Sequence, residues 1–284
     1  MPQIRFGVDV PAELAAGDPI AHARRAETLG FDFISTNDHV LGTDPRHEAW
    51  TLLTWLAAST SRIHIAARVL GVPYREPVLL AKMSETLDRL SGGRLILGLG
   101  AGSGESEFAA MGLPEATVGA RVSGLEEAIT LIQALWTQTS VSYKGRRYST
   151  REARIEPQAG HRIPIWLGTV GPRGLAIVGK KADGWIPSLA YAPPDRAPQM
   201  IVAILAAAAE AGRDPAEIER IYNLELGPVG AELGGTSDEI AGRLLDFVAI
   251  GFTGFNFKLT VSDRESQLEQ IANEVIPLVR GASA

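Results

Sequence analysis

Asp38–His39 closes a short, largely apolar run, FDFISTND, in this 284-residue chain. Acid–base chemistry is built from such a pair: an imidazole titrates near neutrality, and an adjoining carboxylate sets its tautomer or holds a cofactor edge. The plain alternative is a loop histidine beside a capping aspartate. A second pointer is the end of LILGLGAGSG, where Gly100, Ala101, Gly102, Ser103 and Gly104 let a ligand's plane or phosphates approach the backbone. A third is the turn Gly168–Thr169–Val170–Gly171–Pro172–Arg173. It opens a helix, so free N–H groups, the helix dipole and Arg173 favour a phosphate. Read plainly, it is a tight turn with a surface arginine, and it is neither a G-x-G-x-x-G nor a P-loop.

Other residue types say less. His22, His47, His64 and His161 have no spacing that suggests a metal site and read as surface or packing residues. The carboxylates are scattered, without a glycosidase pair, and Lys258 is a weak Schiff-base candidate. The stretch from Lys144 to Arg154 holds five Lys/Arg against one acidic residue in an otherwise acidic chain. It reads either as a solvated ribbon or as a lid that attracts an anionic cofactor tail or substrate.

Alternating strand and helix patterns must position these residues. Ile4–Val10 is the first strand, with Asp9 at its end; Asp18–Pro19 caps a helix that closes at Leu29–Gly30. Phe31–Asp38 is the second strand, and Asp44–Pro45 starts a helix carrying Leu52, Leu53 and Leu56. Ile63–Leu70 is the third strand. Pro77 opens a helix with Leu80, Met83, Leu87 and Leu90 at helical spacing, ended by Gly92–Gly93, and a fourth strand runs into the glycines. Arg121–Trp136 is a helix, and the residues around Lys144–Gly145 alternate as a β-hairpin. The later strands are Ile163–Thr169, Asp183–Leu189, Ile221–Gly227 and Gly254–Leu259, and helices follow at Pro198–Ala211, Ser237–Ile250 and Arg264–Val279. Thr236 and Glu239 form a capping-box pattern.

The count reaches eight strand–helix units over residues 1–284, with no sign of a linker. A (β/α)8 barrel needs about 250 residues. A single such domain, with the hairpin inserted before strand five, is therefore expected over an open doubly wound sheet. Its site would lie at the strand C-termini: Asp9, Asp38–His39, Leu70–Gly71, Gly100–Gly104, Gly168–Arg173, Ser188 and Lys258.

Net charge is −6, so bulk attraction to nucleic acid or anionic lipid is not expected. No apolar run approaches the roughly 20 residues of a membrane span. The N-terminus lacks the charged-then-apolar pattern of a secretory signal. Cysteine is absent, which excludes disulfides and thiolate metal sites and is compatible with the cytoplasm.

Three segments together resemble the bacterial luciferase-like superfamily, and within it the oxidoreductases that use the deazaflavin coenzyme F420. They are Asn37–Asp38–His39, PVLLAKMSETLDRLSGGRLILGLG (Pro77–Gly100) and IPIWLGTVGPRGLAIVGKKADGWIP (Ile163–Pro187). The resemblance implies a flat cofactor across the C-terminal face of a TIM barrel, with Asp38 and His39 near its ring and His39 as proton donor or acceptor. It implies cofactor contacts from Asp38, Arg68–Val69–Leu70, Gly100–Ala101–Gly102–Ser103 and Gly168 to Arg173. It also implies a non-prolyl cis peptide at Arg68–Val69, where relatives usually carry a small residue in place of Arg68.

A related sugar-phosphate dehydrogenase has a catalytic glutamate and a tryptophan where this chain has Ser103 and Thr43, which argues against that substrate class. The expected reaction is hydride transfer between coenzyme F420 and a small organic substrate. The alternatives are an FMN-dependent monooxygenase supplied by a partner flavin reductase, a non-catalytic cofactor carrier, and an unrelated metal-dependent barrel. The family further implies a homodimer packed near strands two and three, where Trp50 and Trp55 sit.

Overall fold

The structure, a computed structural model, describes residues 3–102, 105–227, 233–259 and 264–282. In chain order the strands are β1 (Arg5–Asp9), β2 (Phe33–Thr36), β3 (His64–Ala67), β4 (Leu70–Gly71), β5 (Leu95–Gly100), β6 (Val141–Lys144), β7 (Ser149–Ala153), β8 (Ile165–Leu167), β9 (Gly184–Trp185), β10 (Glu219–Leu226) and β11 (Gly254–Leu259). The helices are α1 (Pro19–Leu29), α2 (Ala49–Ser59), α3 (Pro77–Ser91), α4 (Glu105–Ala110), α5 (Val118–Thr137), α6 (Pro172–Lys181), α7 (Ala197–Glu210), α8 (Ser237–Ala249), α9 (Arg264–Gln270) and α10 (Ile276–Ala282). A π-helical turn, Ile271–Val275, joins the last two.

Eight of these strands form a closed parallel ring in the order β1, β2, β3, β5, β8, β9, β10, β11, with β11 returning to β1. This is the (β/α)8 barrel. β4 prolongs the third barrel strand beyond the Arg68–Val69 peptide, which is cis, and pairs with the end of β5 (Leu70↔Leu99, Gly71↔Gly100). The β6–β7 hairpin precedes the fifth barrel strand.

Alternate residues of each strand face inward. At mid-depth Phe33, Ala66, Ile96, Trp166, Ile186 and Ile221 form one buried cluster, with the Phe33 and Trp166 rings edge to face at 5.2 Å. At the strand N-termini Arg5 pairs with Glu219 (3.0 Å), and Trp166 Nε1 donates to the same carboxylate (3.0 Å). The outward residues build a second, larger core with the helices.

Local chemistry explains most boundaries. Asp18 caps α1 by accepting from Ile20 N–H (2.8 Å), Pro19 takes the first position, and Gly30 at φ 84° ends the helix. The Thr236–Glu239 capping box opens α8 with both reciprocal bonds present.

Several expectations need correction. α2 does not start at Asp44–Pro45. Arg46 bridges to Glu13 as an antiparallel partner, and the Glu48 carboxylate instead caps the helix through Trp50 N–H (3.0 Å) and Thr51 N–H (2.8 Å). α5 begins at Val118, capped by Thr117, three residues before the expected Arg121. The sixth barrel strand shrinks to Gly184–Trp185, followed by a single bridge from Ser188 to Asn223. α4 (Glu105–Ala110) adds a helix after β5 that the strand–helix count did not include.

Candidate active site

Two adjoining cavities open at the C-terminal ends of the barrel strands. The smaller, about 190 Å³, is lined by Asn37, Asp38 and His39 from the β2 end, Gly71 and Tyr74 after β4, and Gly100 to Gly102 after β5. The larger, about 320 Å³, lies beside Thr169 and Val170, Ile186 to Ser188, Tyr191 and Asn223. Arg68, Val69, Gly102 and Gly168 belong to both.

The Arg68–Val69 peptide is cis, and both residues line the two cavities. Val69 lies against strand backbones that carry no side chains. A Cβ at Gly100 would sit 2.7 Å from Val69 Cγ2, and one at Gly168 would sit 3.0 Å from it. These glycines are what this close approach requires.

Asp38 is buried and fully engaged. Its two oxygens accept from the Arg75 guanidinium (2.7 and 2.9 Å), and one also accepts from Gly71 N–H (2.9 Å). Arg75 also pairs with Glu48. Burial opposes the Arg75 charge, but hydrogen bonds to Asp38 and the charges of Asp38 and Glu48 outweigh it and raise the pKa. The chain end of β2 is thus tied to β4 and to the start of α2. The adjoining His39 side chain is exposed and lines the smaller cavity. The next residue is held too: Val40 N–H donates to Glu107 (3.3 Å), whose other oxygen accepts from the Tyr74 hydroxyl (3.0 Å).

A hydrogen-bonded belt crosses the floor of the mouth. Arg68 Nε and Nη2 reach Asp9 Oδ1 at 3.2 and 3.1 Å. The Ser35 hydroxyl lies within donating distance of Asp9 (3.3 Å) and of Asn256 Oδ1 (3.0 Å). Asn256 Nδ2 donates to Asn223 Oδ1 (3.0 Å), and Asn223 Nδ2 reaches the Ile186 and Pro187 carbonyls, both at 3.1 Å. Sequence reasoning singled out Asp9 but missed Ser35, Asn223 and Asn256. The available signal was an asparagine at an inward position in IYNLEL and in GFNFKL, register partners on neighbouring strands.

The turn from Gly168 to Arg173 leads into α6 as expected. Gly171 is its N-cap without a side-chain cap, and Pro172 takes the first position. Trp185 Nε1 donates to the Thr169 carbonyl (2.7 Å) and braces the turn. Arg173 swings aside to the Gly119 carbonyl (3.3 Å) and Glu126 (3.6 Å). Leu70, expected to contact the cofactor, packs into the sheet–helix core and lines neither cavity. Lys258 is exposed and pairs with Glu225 (3.4 Å). Ser103 lies outside the described residues.

The lid reading of the basic hairpin is also corrected. Glu127 of α5 accepts from the backbone N–H groups of Arg146 (2.9 Å), Arg147 (2.9 Å) and Tyr148 (3.1 Å). That fastens the tip to the barrel's outer wall, and no hairpin residue lines either cavity. The other histidines lie apart from the mouth cavities. His161 pairs with Asp88 (3.0 Å), and burial with the nearby Arg264 charge lowers the pKa of His22. Among the described residues no cluster of three or more His, Asp or Glu side chains is placed to hold a metal ion, and no helix is long and apolar enough to cross a membrane.

The luciferase-like monooxygenase family profile matches residues 3–226. The F420-dependent glucose-6-phosphate dehydrogenase of Intrasporangium calvum is 32% identical over 73% of this chain and 64% of its own length, so the match spans just under two thirds of that relative. The protein of the same name from Beutenbergia cavernae is 30% identical, with 98% of both chains covered. Among solved structures, an F420-dependent secondary alcohol dehydrogenase in complex with an F420–acetone adduct has the same fold, at TM-score 0.87 and 19% identity over 98% of this chain and 99% of that one. With most of the chain matched and the barrel closed as described, this protein belongs to the luciferase-like monooxygenase family.

Proposed function

We propose that this chain is an oxidoreductase that moves a hydride between coenzyme F420 and a small organic substrate, with His39 as the acid–base group. The observation that carries this reading is the pair of cavities with a common wall at Arg68, Val69, Gly102 and Gly168, one of them bordered by His39. Adjoining spaces of that kind suit a flat ring and a substrate held together, and positioning supplies much of an enzyme's rate.

The residues fit a deazaflavin in three respects. Val69, seated against the bare backbones of Gly100 and Gly168, gives both cavities an apolar wall for a ring face. Asn37 Oδ1 is buried without a partner, an acceptor suited to a ring N–H. The uncapped start of α6 offers backbone N–H groups to a phosphate. When bound, the deazaflavin supplies the carbon that takes or gives the hydride. In this reading His39 gives or takes the proton at the substrate. Asp38 acts as a positioning residue, because its lone pairs are already committed to Arg75 and Gly71.

The relatives' names support F420 over FMN. Fluorescence titration of the purified protein with each cofactor tests this. F420 binding with weak FMN binding is the expected result. FMN binding alone overturns it and assigns a flavin enzyme with a partner reductase. The sequence departures at Ser103 and Thr43 favour a substrate other than a sugar phosphate. Arg68 is the one lysine or arginine lining either cavity among the described residues, and its charge is partly offset by Asp9. Glucose 6-phosphate is therefore expected to leave F420 unreduced in an absorbance assay. We infer a homodimer through α2, on which Trp55 is 66% exposed while Trp50 is buried.

A further inference from the structure

Arg68 combines three properties. It lies at an inward position, beside the cis bond. It borders both mouth cavities. Its Nε and Nη2 both reach one oxygen of Asp9, so part of the guanidinium fork is left for a ligand. Asp9 is itself buried and tied into the belt through Ser35. The guanidinium is thus a fixed cation rather than a wandering surface one.

The mouth also has a direction. Its floor is the polar belt from Arg68 to Asn223. Its rim carries exposed apolar side chains, Val170 and Tyr191, on the larger cavity. A deazaflavin ring system has a pyrimidinedione edge rich in carbonyl oxygens and an opposite edge that is less polar. Burying the dione edge against N–H donors avoids the cost of stranding its carbonyls on apolar walls. A deazaflavin bound by that logic would face Arg68 with its dione edge.

We propose that Arg68 sets the reduction potential of the bound deazaflavin: it donates to the dione edge and favours the reduced coenzyme, while Asp9 holds it in place and partly offsets its charge. The inference rests on the F420 reading above. A hydride carries two electrons and one proton from a donor C–H bond to the ring carbon, so the donor is oxidised and the ring reduced. The added negative charge spreads to the dione edge, where a guanidinium stabilises it more than it stabilises the neutral oxidised ring. The same bias acts in either direction of hydride transfer.

Removing the cation and removing its counter-charge should shift the coenzyme in opposite senses. Kd values for oxidised and for reduced F420 would be measured by fluorescence and absorbance titration on wild type, Arg68→Met, Arg68→Lys and Asp9→Asn, with circular dichroism to check folding. Their ratio reports the shift in potential without any substrate. Arg68→Met is expected to move the ratio about tenfold toward the oxidised form, about 30 mV for a two-electron couple. Arg68→Lys should recover part of that shift, and Asp9→Asn should move the ratio toward the reduced form. An unchanged ratio in folded Arg68→Met, or equal weakening of both forms, overturns the inference. Should Arg68→Met not fold, Asp9→Asn decides: no shift, or a shift toward the oxidised form, overturns it. Wild type that binds neither form overturns the F420 reading and this inference with it. Wild type that binds both while the variants keep its ratio overturns this inference alone.

Discussion

Asp38 accepts hydrogen bonds on both oxygens, while the His39 ring beside it is exposed and lines a cavity. One residue of the pair anchors and the other is available for chemistry. His39→Ala is expected to leave F420 affinity within about twofold of wild type by fluorescence. It should lower turnover roughly 10²-fold or more, the usual scale for a lost acid–base group. Asp38→Ala should act differently, because it takes two charge-assisted hydrogen bonds from the largely buried Arg75 and leaves it the Glu48 carboxylate. Breaking a buried pair costs about 3 kcal/mol or more, which would appear as a lowered urea midpoint. A midpoint within error of wild type would mean the pair is not structural. The dipeptide stood out in the sequence because its types suit acid–base work. The division of labour did not, since Arg75 lies 37 residues away from Asp38 and only the folded chain brings it there. The floor belt was hidden for the same reason: Ser35, Asn223 and Asn256 become neighbours through strand register, not through spacing along the chain.

Helix ends were the most legible elements, because a cap is a contact among residues close in sequence. Asp18–Pro19, Gly30 and the Thr236–Glu239 box all lie where the chemistry of their types puts them. The failure at Asp44–Pro45 is instructive, since a suitable cap pair was outcompeted by Glu48 and by the bridge from Arg46 to Glu13. The hairpin shows the limit of reading charge. Its cations suggested a lid, yet its backbone is what Glu127 holds. Burial pushes the Glu127 carboxyl up, but the three hairpin N–H groups and the Arg146 charge pull it below its ordinary 4.5. A carboxyl with a lower pKa folded than unfolded stabilises fully above the ordinary value and loses that contribution as pH falls through the folded one. Hydrogen exchange at the hairpin amides, corrected for its intrinsic pH dependence, should therefore quicken as pH falls below the ordinary carboxyl value. Glu127→Ala should quicken it already at pH 7. Exchange unchanged in that variant would show that the clamp does not hold the ribbon.

At the scale of the whole molecule, the barrel separates two tasks along its axis. The Arg5–Glu219–Trp166 plug closes the strand N-termini, and the polar belt and cavities occupy the other end. The eightfold alternation was visible in the sequence; which of the two α2 tryptophans faces outward was not. Trp55 is the largest exposed apolar side chain on α2. Trp55→Asp is expected to convert a dimer to a monomer by light scattering while leaving F420 affinity unchanged; a dimer that persists would move the interface elsewhere. The closing seam of the ring has a consequence for how the protein is made. β1 pairs with β11, residue 5 with residue 254 and residue 8 with residue 257. During synthesis β1 has β2 on one side and nothing on the other until β11 has been translated. For that interval it presents a bare edge, the kind of surface on which nascent chains pair wrongly. Slow translation or a scarcity of chaperones would therefore show first as lost soluble yield, ahead of any change in the activity of molecules that reach the closed ring.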